Sequence, residues 1–324
     1  MNGKDILNKF NVGRDLNTNF VVINGTPHVS ATNSDFDFDE DAIKDFEDYI
    51  LYFLRTIKKD FSLEDLTIFF NSLKELSIKR KDINIKEGSA VYSASKKEIT
   101  LTGENYMNDV YHELFHVASS FVQSGNIYSG FYQGHWYLNK TIGRGLTEGY
   151  TQKLAEDYFC DTDIIGRFYA YEVYVARIME QIIGEDVMKK LYVRANLPEL
   201  IRMLSMYVSE KEVISFLNSL DFVEKYRKAT NIKKLSYEVL REAFRSVTFF
   251  LIKIYVKKLV VLVDEGMEYE IFNEMIWNFV NGLCLEFNSF GTYFEIMKYE
   301  EVQEYLKNIL RNEKIVLIDE GIGR

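Results

Sequence analysis

The segment Tyr111-His112-Glu113-Leu114-Phe115-His116 sets two imidazoles four residues apart, with a carboxylate beside the first. On an α-helix, residues four apart project from one face a single turn apart, so His112 and His116 can grip one cation. Glu113 can then reach a water held by that cation and take its proton, which prepares the water to attack a carbonyl. The chain has 4 histidines in 324 residues, and at that composition the pattern arises by accident in roughly half a percent of sequences. The spacing predicts a metal-binding helix over 106–122. His112 and His116 would be ligands of one zinc ion per chain, and Glu113 the general base.

A catalytic zinc site takes three protein ligands and leaves the fourth position for water. The metzincin arrangement, with Gly three residues and His six residues after the second motif histidine, is excluded because Ser119 and Val122 stand there. Two downstream side chains remain as candidates. His135 lies in a glycine-rich, aromatic stretch from Ser124 to Gly145 that reads as irregular with one short hairpin, so it would be held imprecisely. Glu148 opens a helix in Gly143-Arg144-Gly145-Leu146-Thr147-Glu148-Gly149-Tyr150-Thr151, and a helix presents a carboxylate rigidly. Glu148 is the expected third ligand. His135 as a further ligand would close the fourth position and make the site structural.

His112-Glu113-Leu114-Phe115-His116 followed by Leu146-Thr147-Glu148-Gly149-Tyr150-Thr151 resembles the gluzincin metallopeptidases, in which a downstream helix with an E-G-x-[AT]-like sequence supplies the glutamate ligand. The likeness covers about a third of the chain, from near Gly88 to near Phe159. It implies zinc, peptide hydrolysis and a zincin-like fold. It also implies that the alternating run ending at Leu101 borders the cleft and pairs with an extended peptide substrate. The chain departs from the thermolysin-like pattern at Gln152, where an Asp orients the first histidine. A glutamine still accepts a hydrogen bond from an imidazole N–H, but as a neutral group it raises ligand basicity less. The donor that faces the oxyanion is a Tyr or His in this family, and Tyr128, Tyr132, His135 and Tyr150 all qualify by chemistry.

The elements that must position these residues are legible in outline. Ile43, Phe46, Ile50 and Phe53 recur at helical steps over 41–58, and Ser62 caps a second helix carrying Leu66, Phe69, Phe70, Leu73 and Leu76. Short alternating runs at 83–85, 90–92 and 99–101, the last two joined by 94–97, predict a small antiparallel sheet just before the motif. Residues 17–41, rich in Asn, Thr, Ser and Asp and holding Pro27, read as an extended arm. Asp35, Asp37 and Asp39 do not make an EF-hand loop, since Glu40 and Phe46 fill the places that need Gly and an acidic residue. Beyond Leu146 the chain reads as nearly continuous helices to about Arg311. The expected class is α+β and mostly helical: an arm at 1–41, a zincin-like catalytic unit with a small antiparallel sheet at 42–160, and a helical bundle at 161–324.

Composition limits the partners. A 47% hydrophobic content supports a real core, and a formal charge of −10 argues against nucleic acid, whose binding is driven by Lys and Arg. Cys160 and Cys284 are far apart and in no CxxC pairing, so neither a disulfide framework nor a thiolate zinc site is indicated. The most apolar stretch, Val247 to Val263, is broken by Lys253, Lys257 and Lys258 and reads as a core-facing helix rather than a membrane span. Met1 to Leu16 has no apolar h-region, which makes the cytoplasm the expected location. The leading expectation is a zinc metallopeptidase acting on a peptide or protein through a zinc-held water activated by Glu113. A helical interaction protein with a structural or vestigial zinc site is the alternative, and a zinc hydrolase of a non-peptide bond is a third reading.

Overall fold

Phe53 is the hub around which the first part of the chain folds. Its ring meets Phe69 at 5.3 Å, Phe115 at 4.8 Å and Phe159 at 5.8 Å between centroids, so one side chain joins four helices. The computed structural model describes residues 30–31, 40–62, 64–73, 76–81, 90–102, 109–135, 140–159, 169–227, 237–290 and 298–313. The strand expected at 83–85, most of the arm and Cys160 lie outside the described residues. The protein is mostly helical, of the α+β class. It divides into two compact units, residues 1–176 with 185–197 and residues 177–184 with 198–324.

In the first unit, helix α1 (Glu40–Ile57) buries Ile50, Phe53, Leu54 and Ile57. Helix α2 (Thr67–Leu73) buries Phe69, Phe70 and Leu73. The Ser62 hydroxyl accepts the Asp65 amide at 3.2 Å while the Asp65 carboxylate accepts the Ser62 amide at 3.2 Å, a reciprocal cap that sets up the turn into α2. A four-stranded sheet belongs to the same unit. Strand β1 (Ser30–Ala31) runs parallel to β2 (Ser77–Lys81), which runs parallel to β4 (Glu98–Thr102). Strand β3 (Ala90–Ser93) forms the expected hairpin with β4, Tyr92 opposite Ile99 and Ala90 opposite Leu101. The sheet order is β1-β2-β4-β3. This sheet is therefore mixed, not wholly antiparallel, because Ser77-Ile78-Lys79-Arg80-Lys81 adds a parallel strand that its charges conceal. Ile78, its one apolar residue, is buried opposite Ile99.

The motif helix, α3 (Val110–Ser119), ends short of the expected Val122, and residues 106–108 of that expectation lie outside the described residues. At Ser120 the chain turns into an antiparallel meander, where the sequence predicts an irregular segment with one short hairpin: β5 (Ser120–Gln123), β6 (Asn126–Ser129), β7 (Tyr132–His135) and β8 (Lys140–Ile142). Ser124 and Gly125 both take positive φ, 51° and 78°, which is the backbone that a two-residue hairpin turn requires. Helix α4 (Arg144–Phe159) then packs against α3. Helix α5 (Ala170–Ile183) begins in this unit, and α6 (Glu185–Val193) returns to it. Just past α6, Arg194 donates to the buried Asp65 carboxylate at 2.7 and 3.1 Å. Burial raises the Asp65 pKa, but the Ser62 and Arg194 hydrogen bonds outweigh it and hold the carboxyl below its ordinary value.

The second unit is helical. Its elements are α7 (Leu197–Leu204), α8 (Glu210–Arg227), α9 (Tyr237–Asp264), α10 (Tyr269–Ser289) and α11 (Tyr299–Asn312), with α9 packed on α8, α10 and α11. Phe216 stacks on Phe250 at 4.3 Å across α8 and α9. The lysines that interrupt the apolar run of α9 all find oxygen partners. Lys253 meets Glu212 at 2.5 Å, Lys257 pairs with Glu313, and Lys258 donates to the Gln181 and Ile182 carbonyls at 3.2 and 2.7 Å. No described helix is long and apolar enough to cross a membrane.

Candidate metal centre

Helix α3 is buried on nearly every side, from Val110 through Ser119 with only His116 partly exposed. A helix so enclosed should be apolar throughout, because a buried ionisable group without partners costs several kcal/mol. His112 and Glu113 break that rule, each at 7% exposure. Such departures from the folding pattern mark a site.

Three ligand atoms converge. His112 Nε2 lies 3.1 Å from His116 Nε2. Glu148 Oε2, from the first turns of α4, lies 3.4 Å from the first and 3.7 Å from the second. Zinc bonds of about 2.0–2.2 Å in tetrahedral geometry place ligand atoms about 3.3–3.5 Å apart, so the triangle has the size of one face of a zinc site. His112, His116 and Glu148 are also the only described His, Cys, Asp and Glu residues that gather closely enough to share one ion.

The tautomer of His112 follows from its other nitrogen. Gln152 donates through its amide nitrogen to Glu156 Oε1 at 3.3 Å, which turns Gln152 Oε1 toward His112 Nδ1 at 3.0 Å. His112 Nδ1 must then be the donor, and Nε2 keeps its lone pair for the cluster. Without a cation these three atoms can hold together only through shared protons, as hydrogen bonds between Glu148 and the two imidazoles; a cation takes the place of those protons and can accept a lone pair from each. Burial raises the Glu148 carboxyl, but the hydrogen bonds with His112 and His116 outweigh it and hold the group well below the usual range. Burial pulls His112 down, and the Glu148 hydrogen bond with the Glu113 and Glu148 charges more than reverses this.

Glu113 stands beside the cluster without belonging to it. Its Oε2 accepts the Tyr92 backbone amide of β3 at 2.6 Å. Burial pushes its carboxyl above the usual range, against the opposing pull of the two histidines. A carboxylate raised toward neutrality is suited to proton transfer.

The other candidates fall elsewhere. His135 is the last residue of β7, paired with Asn126 and Lys140, and it is not in the cluster. It is held on a strand and not in a loop. Tyr128 stacks on Phe121 at 4.7 Å, and Tyr150 is fully buried between Phe131 and Tyr192. Tyr132 lies on β7, its hydroxyl over Gly134. The strand next to Glu113 is β3, whereas the run ending at Leu101 is β4, flanked by β2 and β3. Both sides of β4 are taken, so it cannot pair with a substrate. Two further contacts join the site: Tyr169, at the start of α5, stacks on the His112 ring at 5.5 Å and 9°, and Arg144, four residues before Glu148 on α4, lies 3.8 Å from Glu148 Oε1. The first depends on an approach of distant segments and has no sequence signal, whereas the second follows from the one-turn spacing on α4 and could have been found from it.

The chain matches no protein-family model, no curated protein and no solved structure.

Gly149, beside Glu148, sets how closely α4 approaches α5. A Cβ there would stand 2.3 Å from the Glu172 carbonyl oxygen and 2.4 Å from its carbon, both backbone atoms. Alanine would favour the helix by about 1 kcal/mol, while overpacking against backbone costs up to about 3 kcal/mol. Crowding wins. Gly149→Ala is expected to lower stability by about 1–2 kcal/mol in urea denaturation and to weaken metal binding by shifting Glu148.

Proposed function

We propose that this protein is a zinc-dependent peptidase, with His112, His116 and Glu148 holding the metal and Glu113 as general base. The observation that carries this reading is the triangle of His112 Nε2, His116 Nε2 and Glu148 Oε2, with sides of 3.1, 3.4 and 3.7 Å. Zinc held there supplies Lewis-acid polarisation of a carbonyl and a water acidic enough to ionise near neutrality. Glu113 takes the proton of the attacking water and passes it to the leaving amine, a shuttle suited to a carboxyl whose pKa burial has raised. Gln152 orients His112 through Nδ1. Strand β3, whose Tyr92 amide reaches Glu113, is the wall of the proposed cleft nearest the base. The choice of a peptide as substrate rests on the resemblance to gluzincins.

The test is a broad peptide-library digest with chelator-stripped protein and with the same protein after one equivalent of zinc. Cleavage is expected only in the zinc-loaded sample. Zinc-loaded protein that leaves every peptide intact would remove the peptidase assignment.

A further inference from the structure

Tyr192 lies on α6, far along the chain from both ligand-bearing helices, and its side chain is fully buried. Its hydroxyl stands 2.6 Å from Thr151 Oγ1 on α4 and also bonds the Ser119 hydroxyl at the end of α3. Ser119 comes three residues after His116, and Thr151 three after Glu148. Residues three apart are neighbours on a helix surface, so one phenol touches both ligand helices one turn beyond a ligand. The ring has a made-to-fit seat. A Cβ at Gly130 would come 2.5 Å from it, and the Phe131 and Tyr150 rings pack at 5.7 and 5.2 Å.

The hydroxyl protons can be counted. Ser119 Oγ lies 3.0 Å from the Phe115 carbonyl, and Thr151 Oγ1 lies 2.7 Å from the Thr147 carbonyl. Two directed chains satisfy all three hydroxyls: Ser119 to Tyr192 to Thr151 to the Thr147 carbonyl, or Thr151 to Tyr192 to Ser119 to the Phe115 carbonyl. In both, Tyr192 donates to one helix and accepts from the other. Each chain ends on the residue just before a ligand, Thr147 before Glu148 or Phe115 before His116. Phenylalanine would fill the same seat, and Ser119 and Thr151 would each keep a carbonyl acceptor within their own helix. The fold has little need of the phenol oxygen.

We propose that the Tyr192 hydroxyl is a positioning group for the metal centre: by bonding α3 and α4 at once it fixes the separation of His116 from Glu148, and so the affinity for zinc. The link to zinc rests on the three ligands being a zinc site; the clamp on the helices does not. Tyr192→Phe removes both bonds of the hydroxyl and keeps the ring. In metal-free protein, amide hydrogen exchange is expected to quicken about tenfold in the turns 116–120 and 147–151, with α1 and the β3–β4 hairpin unchanged. The zinc Kd, read by competition with a chelating dye, is expected to rise about tenfold, at the low end for groups that orient metal ligands. The melting temperature without metal should move by a few degrees at most. Thr151→Val should reproduce both effects, and the double variant should be no worse than Tyr192→Phe alone, because either change interrupts the same α3–Tyr192–α4 bridge. An unchanged zinc Kd in folded Tyr192→Phe overturns the proposal, as does exchange that quickens evenly across the unit. If the wild type takes up no zinc, it is the zinc reading that has failed, and the exchange pattern alone decides the clamp.

Discussion

Glu113→Gln is expected to keep its zinc and its fold while peptide hydrolysis falls by about a hundred- to ten-thousand-fold, the usual contribution of a general base. The substitution nearly preserves shape. The amide oxygen of glutamine can still accept the Tyr92 backbone N–H that Glu113 holds at 2.6 Å, so β3 keeps its link to α3. Burial outweighs the pull of the two histidines on this carboxyl, so a neutral amide of the same shape gives up little net charge stabilisation and the melting temperature should change little. His112, His116 and Glu148 are untouched, and zinc content should stay as in the wild type. Only the proton transfer is lost, because an amide cannot take the water's proton. Peptide cleavage and zinc content measured side by side on the two proteins check this. Cleavage at the wild-type rate in zinc-loaded Glu113→Gln would remove Glu113 from the proposed mechanism.

Glu148→Ala should have the second large effect. It deletes the one anionic member of the triangle and leaves two neutral imidazoles, so the zinc Kd should rise by more than the roughly hundredfold that outer-sphere partners of metal ligands command. His135→Ala is expected to change it less than about twofold, since His135 is outside the cluster of groups able to share an ion. A zinc-competition titration of both variants gives the order directly. The reverse order would mean that His135 and not Glu148 completes the centre.

The sequence revealed the parts of this centre that depend on local periodicity. The four-residue spacing of His112 and His116 fixes their common face on any helix, and the turn signal between Tyr92 and Ile99 fixes the β3–β4 register. Gln152, four residues after Glu148, is legible in the same way. What stayed hidden depends on contacts between distant segments. Ser77-Ile78-Lys79-Arg80-Lys81 has one buried apolar side chain, so nothing local distinguishes it from a loop; its place beside β4 makes it a strand. The strands between Ser120 and Ile142 are three or four residues long, too short for alternation to stand out among the glycines and aromatics. Tyr192 and Arg194 lie on a segment that reads as one more amphipathic helix. Only the Thr151 hydroxyl and the Asp65 carboxylate waiting for them give them a role in the first unit.

The most direct test of the central claim is the zinc content of purified wild-type protein, stripped with a chelator, reconstituted with zinc, desalted and measured by elemental analysis. The proposed centre predicts about one zinc per chain, because two imidazoles and a carboxylate at tetrahedral spacing suit that metal, and a content near zero after the Glu148→Ala change. A content near zero in the reconstituted wild type would contradict the account.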